Sequence, residues 1–356
     1  MKTIGILFGG VSSEHAVSCL SAASIIPNIP KNKYELVLVG ITKEGKWLRY
    51  FGDMDNLAND TWDQDPSCVP CVLSPDRTTH GFLQINKDNS FETIYVDAVF
   101  PVLHGKNGED GTVQGLFMLA GIPFVGCDLL SSAVCMDKTV TDMLLDYSGI
   151  RRAEWRYLTK KDKNKVEAFE EECAKALGYP MFLKPANAGS SIGVSKVRNR
   201  EEFFEGVKEA FRHDAKVIAE REIVGQELEC AVMGNDFPVA SCVGEIASGA
   251  DFYDYDDKYI NDVSELYIPA RISEELSEKI REIAVKAYST LGCTGLARVD
   301  FLLEKETGIP YLNELNTLPG FTSISMYPKL FDACGVIYPE LLTQLIELSF
   351  ERTEEI

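Results

Sequence analysis

Short apolar runs alternate with helix-like stretches through residues 1–126, and that alternation predicts strands interleaved with helices. Thr3–Phe8 and Glu35–Ile41 read as buried strands, and a third lies within Ile94–His104. Between the first two, an amphipathic helix is expected from near Ser12 and Ser13, with Val17, Leu20, Ala23 and Ile26 on one stripe. The order implies an N-terminal doubly wound parallel sheet. A second unit, 127–224, carries a helix over Thr139–Tyr147 and strands at Met181–Lys184 and Val217–Glu220. A third, 225–356, opens on a strand over Glu227–Val232 and continues through an acidic-aromatic stretch at about 245–268. A helix follows from Ser273 to Leu291, with Ser273 as N-cap, Glu274 and Glu275 in the first turn and Gly292 as its stop. Arg298–Leu303 and Tyr311–Asn316 then read as two strands joined by the turn-prone Glu304–Gly308. Pro339 starts a closing helix with Leu341, Leu342, Leu345, Ile346 and Phe350 inward. The fold class expected is α/β, with α+β character in the second and third units.

Composition narrows the partners. The chain has 356 residues, 45% hydrophobic and 25% charged, which is ordinary globular usage and too long for one simple core. A formal charge of −20 excludes nucleic acid and anionic membrane as partners, since both select basic surfaces. A polyanionic substrate would need local lysines, arginines and metal ions. No run reaches the ~20 apolar residues of a membrane span, and the N-terminus lacks a signal peptide. Ten cysteines without framework spacing fit reduced thiols in the cytoplasm, and Cys68-Val69-Pro70-Cys71 has no second pair nearby.

Candidate chemistry concentrates on the hairpin. Side chains alternate along a strand, so Arg298 and Asp300 share one face, and Glu314 and Asn316 share one face of its partner. Paired, they bring two carboxylates, an amide and a guanidinium together, a set suited to hard cations and their phosphates. An ordinary hairpin with a wet outer face competes, but the loop Thr317-Leu318-Pro319-Gly320-Phe321-Thr322-Ser323, rich in backbone donors, favours a metal-phosphate site. Lys184 ends a strand and leads into the small-residue loop Pro185–Val194, whose amides and hydroxyls can cover anionic oxygens. This is neither a P-loop nor a GxGxxG fingerprint. Lys138 supplies a second cation. The segment from Val217 to Glu227 reads either as a plain strand end or as a hinge whose backbone meets an adenine, with Glu220 and Glu227 facing amino or ribose groups.

Together these motifs resemble the ATP-grasp ligases, and more narrowly the D-alanine–D-alanine ligases. The resemblance rests on Met136-Asp137-Lys138, Phe182–Pro185, Gly189-Ser190-Ser191-Ile192-Gly193, Arg298-Val299-Asp300 and Asn313–Gly320, together with Phe8-Gly9-Gly10, Ser13-Glu14-His15, Leu103–Gly111 and Phe321–Pro328. It spans nearly the whole chain in order. It implies a three-domain ATP-grasp fold and ATP-dependent joining of two D-alanines through an acylphosphate, for peptidoglycan synthesis. Lys138 and Lys184 would contact the ATP phosphates, with Ser190 and Ser191 over the γ-phosphate. Glu220, Arg221 and Ile223 would line the adenine site, and Glu227 the ribose. Asp300, Glu314 and Asn316 would bind two Mg²⁺ ions, for which Mn²⁺ can substitute. Glu14 would take the first D-alanine's ammonium beside His104. Arg298 and the Gly320 amide would form the oxyanion site, and Ser325 and Lys258 would face the second carboxylate. Tyr259 would close the site from a lid at about 245–268, bonded with Ser190 and Glu14. A homodimer through the N-terminal domain is implied as well.

Where the family often reads Glu-His-Glu-Val-Ser, this chain has Glu14-His15-Ala16-Val17-Ser18, a local loss of polarity that spares Glu14. Met326 beside Ser325 favours D-alanine over D-serine as second substrate, and Lys258-Tyr259 argues against D-lactate. A hydrophobic pocket discriminates weakly against one added hydroxyl, so D-serine stays open as the alternative. A nicotinamide-dependent oxidoreductase would explain only the N-terminal unit.

Overall fold

Among the described residues, three sheets follow one another along the chain, seven-, four- and five-stranded. The computed structural model describes residues 1–247 and 265–354. Lys258, Tyr259 and most of the expected lid therefore lie outside the described residues.

The first sheet holds β1 (Lys2–Gly9), β2 (Tyr34–Ile41), β3 (Trp47–Tyr50), β4 (Val69–Leu73), β5 (Gly81–Ile85), β6 (Phe91–Tyr95) and β7 (Ala98–Leu103), in the order β6-β5-β4-β3-β2-β1-β7. β1 lies parallel to both β2 and β7. Ile4, Ile6 and Phe8 share a core with Cys19, Ala22 and Ile25 of α1 (His15–Asn28). Their neighbour Leu7 turns the other way, packing with Val113, Phe117 and Ala120. The sheet is thus wound on both faces, as the alternation predicts. Its parallel part is only β2-β1-β7, because the remaining pairs are antiparallel. Connections such as Thr42–Lys46 are too short for the crossover that a parallel pair requires.

The expected α1 stripe holds at Val17 and Ile26, which are buried, and at Ala23, which packs against the core, but is corrected at Leu20, which is 44% exposed. The inward face also carries Ser18, Ser21, Ala22 and Ile25. Ser18 Oγ accepts from the Gly9 amide at 2.7 Å, and Ser21 Oγ meets His104 Nε2 at 3.1 Å. Small hydroxyl residues let the helix sit close to the sheet and leave polar atoms toward the site, which a count of apolar positions misses. The entry to α1 depends on Gly9, at φ +83°, where a Cβ would lie 2.3 Å from the Ile41 carbonyl oxygen.

After α2 (Met54–Ala58), α3 (Thr112–Ala120), α4 (Leu129–Met136) and α5 (Lys138–Tyr147), the second sheet is antiparallel, ordered β10-β9-β11-β8. Its strands are β8 (Trp155–Thr159), β9 (Met181–Pro185), β10 (Ser195–Val197) and β11 (Lys216–Arg221). Phe169 and Cys173 of α6 (Val166–Ala176) and Phe203, Val207 and Ala210 of α7 (Arg200–His213) fill the core beneath it.

The third sheet runs β14-β13-β12-β15-β16: β12 (Gly225–Met233), β13 (Val239–Ala247), β14 (Glu265–Tyr267), β15 (Leu296–Glu304) and β16 (Pro310–Asn316). α8 (Glu274–Thr290) starts where Ser273 Oγ accepts from the Leu276 amide at 3.2 Å, and Gly292 takes φ +69° just beyond its end, as the sequence predicts. α9 (Met326–Ala333) packs on β12 and β13. In α10 (Tyr338–Glu354), Leu341, Leu342, Leu345 and Ile346 are buried in the same core as α1 and β1, which ties the last helix to the first sheet.

Candidate active site

The site is built on the β15–β16 hairpin. Arg298 stands opposite Asn316 and Asp300 opposite Glu314. The register slips between Asp300 and Phe301, so Asn313 is an extra residue. A regular strand would turn Leu312 and Leu315 to opposite faces; the bulge buries both while aiming Glu314 and Asn316 at the Arg298 face. Arg298 grips Asp300 with two bonds of 2.7 Å, and Asn316 Nδ2 donates to Asp300 at 2.8 Å. Burial works against the guanidinium charge, but Asp300 and then Glu229 more than reverse it and raise its pKa.

Glu229 was not foreseen. It lies on β12 directly across from Asp300, is buried, and forms an ion pair with Arg298 Nε at 3.1 Å. In sequence it is one of three polar residues, with Gln226 and Glu227, in the first half of β12. Only the pairing of β12 with β15 reveals it.

On one side of the hairpin lies a cavity of about 530 Å³. It is lined by Lys138, Lys184, Ser190, Ser191, Glu220, Arg221, Ile223, Glu227 and Asp300, so the residues expected at a nucleotide come together. Lys184 Nζ donates to Glu220 at 2.6 Å. Burial would lower the Lys184 pKa, but Glu220 and then Glu314 and Asp142 raise it, so the ammonium keeps its charge. Arg221 is committed to Glu154 at 2.6 Å and Glu304 at 2.8 Å, so its guanidinium is already paired. Lys138 Nζ donates to the Ala188 carbonyl at 2.8 Å and stands 3.7 Å from Glu314. Ser190 and Ser191 adopt φ +50° and +58°, a conformation costly for residues with a Cβ and frequent in ligand-clamping loops.

A second cavity, about 550 Å³, is lined by Glu14, His104, Arg298, Asn316, Gly320, Ser325 and Met326. Ser190 Oγ donates to Glu14 at 2.5 Å, so the serine loop reaches across to the first sheet. The close approach of Glu14 to Gly105 leaves no room for a Cβ there, since one would lie 2.5 Å from Glu14 Oε2. His104 contacts the Leu318 carbonyl through Nδ1 at 3.1 Å. Burial alone would lower its pKa, yet Glu109, 3.6 Å away, together with Glu14 raises it. Ser325, just before α9, accepts from the Thr322 amide through Oγ at 3.0 Å, and Met326 packs into the space that Gly244 leaves. Lys138, Ser190, Glu229 and Glu314 line both cavities.

Asp142 is a second residue that the sequence reading missed. It lines the nucleotide-side cavity behind Lys184, and burial, with Glu220, pushes its pKa up to about 8 against the opposing pull of Arg152 and Lys184. The folded chain therefore keeps a proton that the unfolded chain has lost above the usual value of 3.8. Stability from this group is lost as pH rises from that value through about 8. Asp142→Asn retains the uncharged form. The variant's advantage in thermal unfolding should grow from pH 5 to pH 8.5; parallel curves would rule the effect out.

Comparison with known proteins follows the same geography. Residues 3–127 match the family model described as the D-ala D-ala ligase N-terminus, and residues 144–347 match the D-ala D-ala ligase C-terminus. A D-alanine–D-alanine ligase of Acetivibrio thermocellus is 48% identical over 364 residues, covering 99% of this chain and 96% of that protein. The crystal structure of VanG D-Ala:D-Ser ligase from Enterococcus faecalis superposes with a TM-score of 0.89 at 43% identity, over 98% of this chain and 99% of that one. The D-alanine–D-alanine ligase from Bacillus anthracis complexed with ATP gives 0.73 at 30% identity, over 100% and 99%.

Proposed function

Since the chain belongs to the D-alanine–D-alanine ligase family of ATP-grasp enzymes, we propose that it joins two D-alanines to D-alanyl-D-alanine with release of ADP and phosphate. The observation that carries this reading is the pair of adjoining cavities. Where they meet, Lys138, Ser190 and Glu314 belong to both, so a phosphate from one side can reach a carboxylate from the other.

The nucleotide lies against β11 and β12, its adenine between Ile223 and the Glu220–Arg221 backbone and its ribose at Glu227. Lys138 and Lys184 hold the phosphates, and Ser190 and Ser191 cover the terminal one. Asp300, Glu314 and Asn316 present two carboxylates and an amide on one sheet face, a donor set that fits Mg²⁺, with Mn²⁺ as a substitute. Two such ions, when bound, neutralise phosphate charge. Glu14 receives the ammonium of the first D-alanine next to His104. The carboxylate of that D-alanine attacks the terminal phosphorus and ADP leaves, while the lysines and Arg298 offset the repulsion between the two anions. The amine of the second D-alanine, its carboxylate at Ser325 and Lys258, attacks the acylphosphate carbonyl. Arg298 and the Gly320 amide take the charge developing on the carbonyl oxygen, and phosphate leaves. Tyr259 and the lid would keep water from the acylphosphate.

We assign 1–126 to the first-substrate domain, 127–224 to the central domain and 225–356 to the domain bearing the metal site. The exposed Met118 and Leu119 on α3 suit a homodimer through the N-terminal domain, with Leu129 and Leu130 at the adjoining start of the central domain extending that apolar surface. Among the described residues no helix is long and apolar enough to cross a membrane, and dependence on ATP supports a cytoplasmic reaction.

The test is phosphate release with ATP, Mg²⁺ and D-alanine alone, compared with mixtures containing D-serine or D-lactate. Met326 predicts dipeptide from D-alanine alone and a modest D-alanyl-D-serine yield under competition. No phosphate release with D-alanine at neutral pH would refute the assignment.

A further inference from the structure

Glu229, Asp300 and Glu314 occupy matching positions on the neighbouring strands β12, β15 and β16, so three carboxylates stand in one row on one face of the sheet. Adjacent strands lie about 4.8 Å apart, which puts the ends of the row about 10 Å from each other. Cations separate the charges. Lys138 stands by Glu314 at one end, and Arg298 spans the other two, with bonds to Asp300 and an ion pair to Glu229. The central carboxylate thus has two claimants, since Asp300 is both the grip of Arg298 and a ligand of the metal set.

A divalent ion on Asp300 takes the oxygens that Arg298 now occupies and adds positive charge beside the guanidinium. The arginine must then release Asp300 yet stay pointed at the reacting carbonyl. A carboxylate outside the metal set, already in contact with the guanidinium, permits both. We propose that Glu229 is a positioning residue that holds Arg298 when metal claims Asp300, so that it sets metal affinity and oxyanion geometry without binding metal itself. The proposal rests on the metal role assigned above to Asp300, Glu314 and Asn316. It also gives a role to a carboxylate at a buried position, flanked by buried Leu228 and Cys230, where an unpaired charge would be costly.

Mn²⁺ titration of the enzyme–ADP complex, followed by electron paramagnetic resonance of the free ion, tests the proposal without turnover. Glu229→Gln should weaken Mn²⁺ binding about 5-fold or more, because Arg298 then competes for Asp300 unopposed. In an Arg298→Met background the same substitution should change Mn²⁺ binding less than 2-fold, since the competitor is gone. Glu229→Asp, which keeps the charge, should recover most of the affinity, and Glu229→Ala replaces the glutamine variant if that one fails to fold, with the same loss expected. In steady state, Glu229→Gln should raise the Mg²⁺ requirement and lower kcat while the KM for D-alanine stays near wild type. Unchanged Mn²⁺ affinity in Glu229→Gln would overturn the proposal, as would an equal loss with and without Arg298, which would make Glu229 a ligand or a bulk charge. If the wild-type complex binds no Mn²⁺, the metal assignment itself fails and the proposal with it.

Discussion

Replacing Glu314 with Gln is expected to cut dipeptide formation about 10²-fold or more while leaving the fold intact. Glu314 is half-buried, faces Asp300 across the strand pair and lies at the meeting of both cavities. Its carboxylate is placed to bring metal to the terminal phosphate. Charge stabilisation of that kind supplies several kcal/mol to a transition state, and about 3 kcal/mol is already about 10²-fold in rate. Stability should move little. Asp300 and Glu314 are like charges directly opposed on neighbouring strands, but Arg298 holds Asp300 and Lys138 stands 3.7 Å from Glu314, so repulsion and attraction at Glu314 oppose each other. Glutamine fills the same space and removes both. Thermal unfolding without metal should therefore stay close to wild type, while turnover at saturating ATP and D-alanine collapses. Near-normal turnover would refute the metal role, and early unfolding would show that Glu314 is structural.

That contrast also marks what the chain reveals before folding. The face shared by Arg298, Asp300, Glu314 and Asn316 follows from strand alternation alone, because four polar residues at alternate positions cannot all be explained by burial. Local rules also located the Ser273 cap and the Gly292 stop, since each depends on neighbours a few residues away. Features that depend on distant pairing stayed hidden. Asn313 gives no sign of being a bulge residue; the bulge becomes apparent only when Leu312 and Leu315 are both found in the core. Glu229 joins the site through β12, whose partner is more than 60 residues downstream. Asp142 reads as an ordinary helix-surface acid, and its proton is held by burial and by Glu220 on another element. The α1 stripe erred at Leu20 for a related reason: hydroxyls at Ser18 and Ser21 satisfy partners on β1, β7 and the His104 loop, so polarity there marks the inside.

Arg298→Lys should lower dipeptide formation about 10²- to 10³-fold, the usual cost of losing one preorganised donor to a developing oxyanion. The loss follows from shape, because the charge is unchanged. The guanidinium presents Nε and Nη2 to Asp300 at 2.7 Å each while Nε also meets Glu229 at 3.1 Å. A planar fork can hold two carboxylates and still aim a donor into the cavity; an ammonium is a single point on a flexible stem. Lysine at 298 would settle against one carboxylate and leave the other buried without its partner. The first chemical step should suffer less, because Lys138 and Lys184 still stand at the phosphates. The acylphosphate would then form faster than it is consumed. Hydroxylamine added to the variant with ATP and D-alanine should trap more D-alanine hydroxamate per ADP released than it does with wild type, while dipeptide falls. Equal falls in hydroxamate and dipeptide would place Arg298 at phosphoryl transfer and remove it from the second step. Dipeptide formation within about 3-fold of wild type would mean that the positive charge suffices and the fork does not.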